Sequence, residues 1–284
     1  MLNAKAATGI DFWVGNTSVN WGDANWSGAN NPPIAGDSLS FGPAGSAGTA
    51  LNNNSAATSF AGLTFNNTAA GYTIAGNSIT LSGGVVDNSV NPETLNLPLA
   101  LSATANVGVG AGGVLTLGGV ISGTAFGLTA TGLGTVGLNG SVANTYGGAT
   151  TVNAGTLLLD FANFGATANL ISAASSLALG GGTFQVNGNA ANAISQTVNA
   201  TTVNPGADVI SVGPNGGNPA NPLPTPRPIS SRMMSERWVA LLRMFAVSFI
   251  STMKVLCPRE RSSLAPMRVK MRSRMGMDAF CAGM

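Results

Sequence analysis

The chain has 284 residues, of which only 8% are charged, 39 are glycine and none is histidine. An average globular domain carries about 25% charged residues and about 7% glycine; the present balance argues against an ordinary α/β enzyme, a coiled coil or a charged helical bundle, and it excludes mechanisms that need a histidine of this chain. The net charge of +2 hides a break: residues 1–218 hold 1 base and 7 acids, whereas residues 219–284 hold 11 bases, 3 acids, both cysteines and 9 of the 10 methionines. The basic balance therefore belongs to the tail and does not mark a nucleic-acid-binding body.

From the N-terminus, the first twenty residues contain no unbroken apolar stretch of secretory length. Trp13, Trp21 and Trp26 follow close together, then Asn31-Pro32-Pro33 and the run Asp37 to Phe41. Three flat rings so near one another form a candidate carbohydrate contact, by stacking on sugars. The alternative, which the spacing favours, is a cap whose bulky rings close the open end of a stacked core. Residues 1–42 are read as this Trp-rich leading or cap module.

Residues 43–218 read as all-β. Short alternating runs occur at Leu63–Phe65, Ile79–Leu81, Leu95–Leu97, Leu115–Leu117, Val136–Leu138, Leu157–Leu159, Leu177–Leu179 and Thr183–Val186. Clusters of glycine, asparagine and serine between them supply turn chemistry. The first apolar residues of five runs, Leu95, Leu115, Val136, Leu157 and Leu177, are 20 or 21 residues apart. A fixed step of this size predicts a β-solenoid, since one coil cannot bury its apolar face and a stack of coils can. About ten coils would fit, giving a rod of roughly 45–50 Å at ~4.8 Å per coil.

The segment Gly127 to Gly140 (GLTATGLGTVGLNG) and the segment Asn144 to Leu159 (NTYGGATTVNAGTLLL) resemble the autotransporter-associated β-strand repeat. That pattern runs G-L-T-K-x-G-x-G-T-L-x-L-x-G and then N-T-Y-x-G-x-T-x-V-x-x-G-x-L-x-L. Ala130 stands where lysine is usual, Ser141 and Val142 are extra, and one threonine is missing near Gly147 to Ala149. Trp21 to Trp26 with Pro33 and Gly36-Asp37, and Leu115 to Gly123, are similar to segments flanking such repeats. The resemblance spans roughly residues 11–218. It implies a right-handed parallel β-helix, placed at the cell surface or outside a bacterium, and associated with the outer membrane. It implies a structural or adhesive passenger or spacer, with surface glycans or neighbouring cell surfaces as partners.

Residues 219–284 follow other rules. Pro219, Pro222, Pro224, Pro226 and Pro228 make a joint that favours extended chain. Trp238, Leu241, Leu242, Phe245 and Phe249 then fall at helical spacing, which predicts a helix over about 231–256 ended by Pro258. The apolar run from Trp238 to Ile250 has 13 residues and holds Arg243, short of the ~20 a membrane span needs. The tail is an out-of-frame product, a membrane-surface segment or a nucleic-acid-binding arm; the abrupt change in Cys, Met and Arg usage favours the first. Membrane contact is expected only if the tail is real.

No catalytic, cofactor or metal residue is expected. There is no Cys/His set for zinc, and glycine-rich stretches such as Gly108 to Gly113 lack the context of a nucleotide loop. The body offers only Asp11, Asp23, Asp37, Asp87, Glu93, Asp160 and Asp208 as carboxylates. A glycosidase needs two that converge on one bond; the closest pair, Asp87 and Glu93, flanks a segment that reads as a loop, and turn capping is the expected role. The alternative function is a carbohydrate-binding or carbohydrate-active β-helix.

Overall fold

A computed structural model describes residues 7–55, 58–163 and 168–213. The joint and helix expected after residue 218 lie outside the described residues. The described chain is all-β apart from one 3-10 turn at Phe161–Asn163, and its parallel sheets stack as a β-solenoid.

The stack begins with β1 (Ile10–Trp13) and β2 (Trp26–Gly28), which pair antiparallel. Four turns then contribute three strands each: β3 (Ser38–Phe41), β4 (Ala50–Asn53) and β5 (Thr58–Phe60); β6 (Gly62–Phe65), β7 (Thr73–Gly76) and β8 (Ile79–Leu81); β9 (Val85–Asp87), β10 (Glu93–Leu95) and β11 (Leu99–Leu101); β12 (Ala105–Val109), β13 (Val114–Leu117) and β14 (Ile121–Ser122). Later turns contribute two strands each: β15 (Leu128–Gly132) and β16 (Thr135–Leu138); β17 (Thr150–Val152) and β18 (Thr156–Asp160); β19 (Leu177–Leu179) and β20 (Thr183–Asn187); β21 (Thr201–Val203) and β22 (Val209–Gly213). Strands of the same kind stack into sheets of ten, eight and four strands. Because β1 and β3 already pair in parallel, and β3 pairs with β6, the stack starts inside the first 42 residues.

Alternation sets which side chains fill the core. On the second sheet Leu95, Leu117, Leu138, Leu159 and Val186 are in register, and every one is buried. On the first sheet the inward column runs Phe41, Phe65, Asp87, Val109. Burying a leucine-sized side chain contributes roughly 1.5–3 kcal/mol, and the column repeats that gain at each turn. Gly132 shows how tightly coils approach: its φ is +82°, and a Cβ there would sit 2.1 Å from the Val109 carbonyl oxygen, so only glycine fits.

The register corrects the step read from the sequence. Leu115, Val136 and Leu157 are in register at 21-residue steps, as expected. Leu95, however, pairs with Leu117, and the partner of Leu115 is Glu93. Leu157 pairs with Phe184, while Leu177 lies on the first sheet opposite Thr150. Steps thus widen to 27 residues there, which is why fewer than ten turns form.

The third side changes character along the rod. Its four strands end at β14, and side-chain amides take over the backbone's partners. Asn144 Oδ1 accepts from the Ile121 N–H at 2.7 Å, and Gln196 bonds both Ile171 N–H (2.9 Å) and Ile171 O (2.8 Å). Buried backbone groups must be paired, and these amides let longer coils meet that demand without a strand.

Candidate functional site

The three tryptophans come together at the first turns, but as core. Trp13, Trp21 and Trp26 are 4%, 1% and 3% exposed. Trp26 meets Trp13 edge-on at 5.0 Å and Trp21 at 5.8 Å between ring centroids, and Trp21 lies 5.7 Å from Phe41. The Trp26 indole N–H donates to the Trp21 carbonyl at 2.9 Å. Sugar stacking needs a free ring face, and these rings have none. The expected carbohydrate contact at Trp13, Trp21 and Trp26 is therefore corrected: edge-to-face packing consumes their faces.

The structure instead gathers carboxylates that the sequence kept apart. Asp11 on β1 and Asp37 just before β3 are both fully buried. Asp37 is saturated with donors: Gly9 N–H (3.0 Å), Ile34 N–H (2.7 Å) and Asn30 Nδ2 (3.1 Å). Burial pushes the Asp37 carboxyl up, but these bonds and the neighbouring Asp11 carboxyl outweigh it and hold it below the usual carboxylate range. Asp11 accepts one bond, from Asn30 N–H at 2.6 Å, and its Oδ2 has no partner. Burial, reinforced by the neighbouring Asp37 charge, pushes Asp11 up to about 6. The two acids are thus pushed apart, Asp11 upward and Asp37 downward.

A second pair sits deeper. Asp87 ends β9 and Glu93 begins β10, and both point inward and are fully buried. Asp87 Oδ1 accepts from Ser89 N–H at 2.9 Å, so the expected turn capping is present, while its Oδ2 is unpartnered. Glu93 Oε2 accepts from Tyr72 N–H at 2.5 Å, while its Oε1 is unpartnered. Burial raises the Asp87 pKa, and burial with the nearby Asp87 charge pushes Glu93 up to about 7. Loop capping alone is thus corrected: both acids occupy inward columns that are otherwise apolar, between Phe65 and Val109 and between Tyr72 and Leu115.

The remaining carboxylates stand apart. Asp23 is held below its ordinary value by bonds from Ser18 and Asn20. Asp208 accepts from the Gly181 N–H at 2.7 Å, and Asp160 Oδ1 from the Ala162 N–H at 3.1 Å. Among the described residues no group of three or more His, Cys, Asp or Glu could hold a metal ion, and no helix is long and apolar enough to cross a membrane.

The outer faces carry rows of uncharged polar side chains, broken by apolar ones such as Phe12, Val86 and Leu158. Outward positions of the second sheet run Thr73, Thr94, Thr116 and Gly137 in register, and those of the first run Asn106, Thr129, Thr151, Ala178 and Thr202. No lysine, arginine or histidine lies among the described residues. Comparison with known protein families, with curated proteins and with solved structures finds no match to the chain.

Proposed function

We propose that the chain is a non-catalytic structural or adhesive spacer or passenger of a bacterial cell-surface or secreted protein of the autotransporter type. The observation that carries this reading is the uncharged polar ladder repeated along a stiff rod. Hydroxyl and amide groups at a regular spacing make weak, equivalent contacts, and such contacts multiply through multivalency. Surface glycans and the surfaces of neighbouring cells present matching repeats. The segment of residues 127–159 that resembles the autotransporter-associated repeat supports the same reading, since it supplies the middle coils of the stack, β15 to β18. The carboxylates also support a non-catalytic role: both close pairs are sealed in the core, out of a substrate's reach.

Two assays on the full chain test the proposal. Protease treatment of intact producing cells should remove the rod, and a polysaccharide array should show weak binding that strengthens when the chain is displayed in many copies. Release of reducing ends from any polysaccharide would overturn it in favour of the carbohydrate-active alternative. Full protection from protease in intact cells would overturn the surface location.

A further inference from the structure

Burying a carboxyl group is costly unless its charge is balanced or removed. At the corner between β9 and β10 two carboxyls are buried near enough for the Asp87 charge to act on Glu93, each with one oxygen that has no hydrogen-bond partner, Asp87 Oδ2 and Glu93 Oε1. No lysine, arginine or histidine lies among the described residues to balance them. A divalent cation such as calcium takes six to eight oxygen ligands. The corner offers two free oxygens, because Asp87 Oδ1 and Glu93 Oε2 already accept backbone N–H bonds, and Phe65, Val109 and Leu115 line the inward columns beside them. A proton is the balancing charge that fits: on a free oxygen it removes the charge and adds no volume.

The elements packed around the corner are β6, β7, β12, β13 and the segment between β6 and β7. The other titratable group they carry there is Tyr72, which burial and the Glu93 charge push up to about 12, so it stays neutral throughout the range that matters. Its hydroxyl is engaged by the Gly42 and Pro43 carbonyls at 3.0 and 3.1 Å. Nothing else at the corner titrates between mild acid and mild alkali.

We propose that the Asp87–Glu93 corner is a proton lock on the third turn: with both carboxyls protonated it closes as a neutral part of the core, and loss of those two protons leaves two buried negative charges that loosen the turn between β9 and β10. The sign follows from linkage. Glu93 is raised from about 4.5 to about 7 on folding, so its contribution is complete below pH 4.5 and is lost as pH climbs through 7. The rod is tight in mild acid and loosens locally in mild alkali.

Hydrogen exchange on the full chain at pH 5.5 and pH 8.5, corrected for intrinsic exchange rates, tests this directly. Peptides over residues 85–101 should lose protection at least tenfold more than peptides over residues 128–160, where no carboxyl points inward. The melting temperature should fall by roughly 5–10 °C between the two pH values, and the fall should shrink by more than half in Asp87→Asn/Glu93→Gln. Exchange on the unaltered chain decides the matter even if that variant does not fold. Equal loss across both regions, or none, would overturn the lock. Recovery of protection at pH 8.5 on adding calcium, reversed by chelation, would overturn it in favour of a cation site.

Discussion

The first three turns and the turns after β14 solve the same problem with different chemistry. Both halves bury polar groups inside a narrow apolar core. In the early turns those groups ionise, and Asp11, Asp87 and Glu93 each keep an unpartnered oxygen. In the later turns they are neutral and, Thr201 Oγ1 apart, paired: the Thr150 hydroxyl meets Tyr146 Oη at 2.8 Å and Ser175 Oγ at 2.9 Å, and Asn144 and Gln196 bond backbone groups. A buried neutral network costs nothing further when pH changes, whereas a buried acid makes local stability a function of pH. The same stack is thus sensitive at one end and indifferent at the other.

The largest test of that contrast removes a ring. Trp21→Ala empties the centre of the aromatic cluster and should cost about 3–5 kcal/mol, seen as a drop in melting temperature with loss of the fluorescence signal from Trp13 and Trp26 burial. Because the cavity is apolar, the loss should be the same at pH 5.5 and pH 8.5. A loss confined to one pH would mean that the cluster is coupled to Asp11 and Asp37.

Asp11→Asn probes the ionising half. Asp11 is raised from 3.8 to about 6, so wild-type stability present below pH 4 is lost as pH rises through 6, and the asparagine should abolish that slope. At pH 8 the variant should therefore be more stable than wild type, by on the order of 2 kcal/mol, in urea unfolding. Thr150→Val, in the paired half, should instead destabilise by about 1–3 kcal/mol by stranding the Tyr146 hydroxyl, while Ser175 keeps its bond to the Gly148 carbonyl, with no pH dependence below 9.

The acids also explain what the sequence concealed. The 21-residue steps from Leu115 to Val136 to Leu157 were legible because each inward position is apolar and follows a glycine by two residues. One turn earlier the inward position belongs to Glu93. A search for apolar residues passes over it and settles on Leu95, two residues along, which still faces inward. The buried acid and the misplaced register are one event. At the other side, the described residues of the long excursion between β18 and β19 carry no strand to mark it, so Leu177 reads as the next rung although it lies on a different sheet. The tryptophans were legible as a cluster, but ring burial depends on Phe41 and Phe60 arriving from later strands. The Asp11–Asp37 nest depends on an antiparallel pair, β1 with β2, that period-based reading of a parallel stack does not supply.

The two ends of the stack differ as its halves do, and the smallest expected stability effect lies there. At the N-terminal end, aromatic rings close the core. At the last described turn, Ile210 and Val212 continue the inward columns of Phe184 and Val186 but are 48% and 65% exposed, and Val203 is 59% exposed beside them. Among the described residues β21 and β22 are the last strands of their sheets, and a strand edge left unpaired with apolar inward residues is a template for pairing. Val212→Lys places a charge in that column at a site already open to water, so stability should change by less than about 0.5 kcal/mol. Self-association of the full chain, followed by sedimentation velocity across concentrations, should nevertheless fall several-fold, and the same charge placed at the outward neighbour Ser211 should do less. Equal effects at the two positions would mean that general charge, rather than the open core, governs association. A large loss of stability at Val212 would mean that residues beyond β22 cover the end.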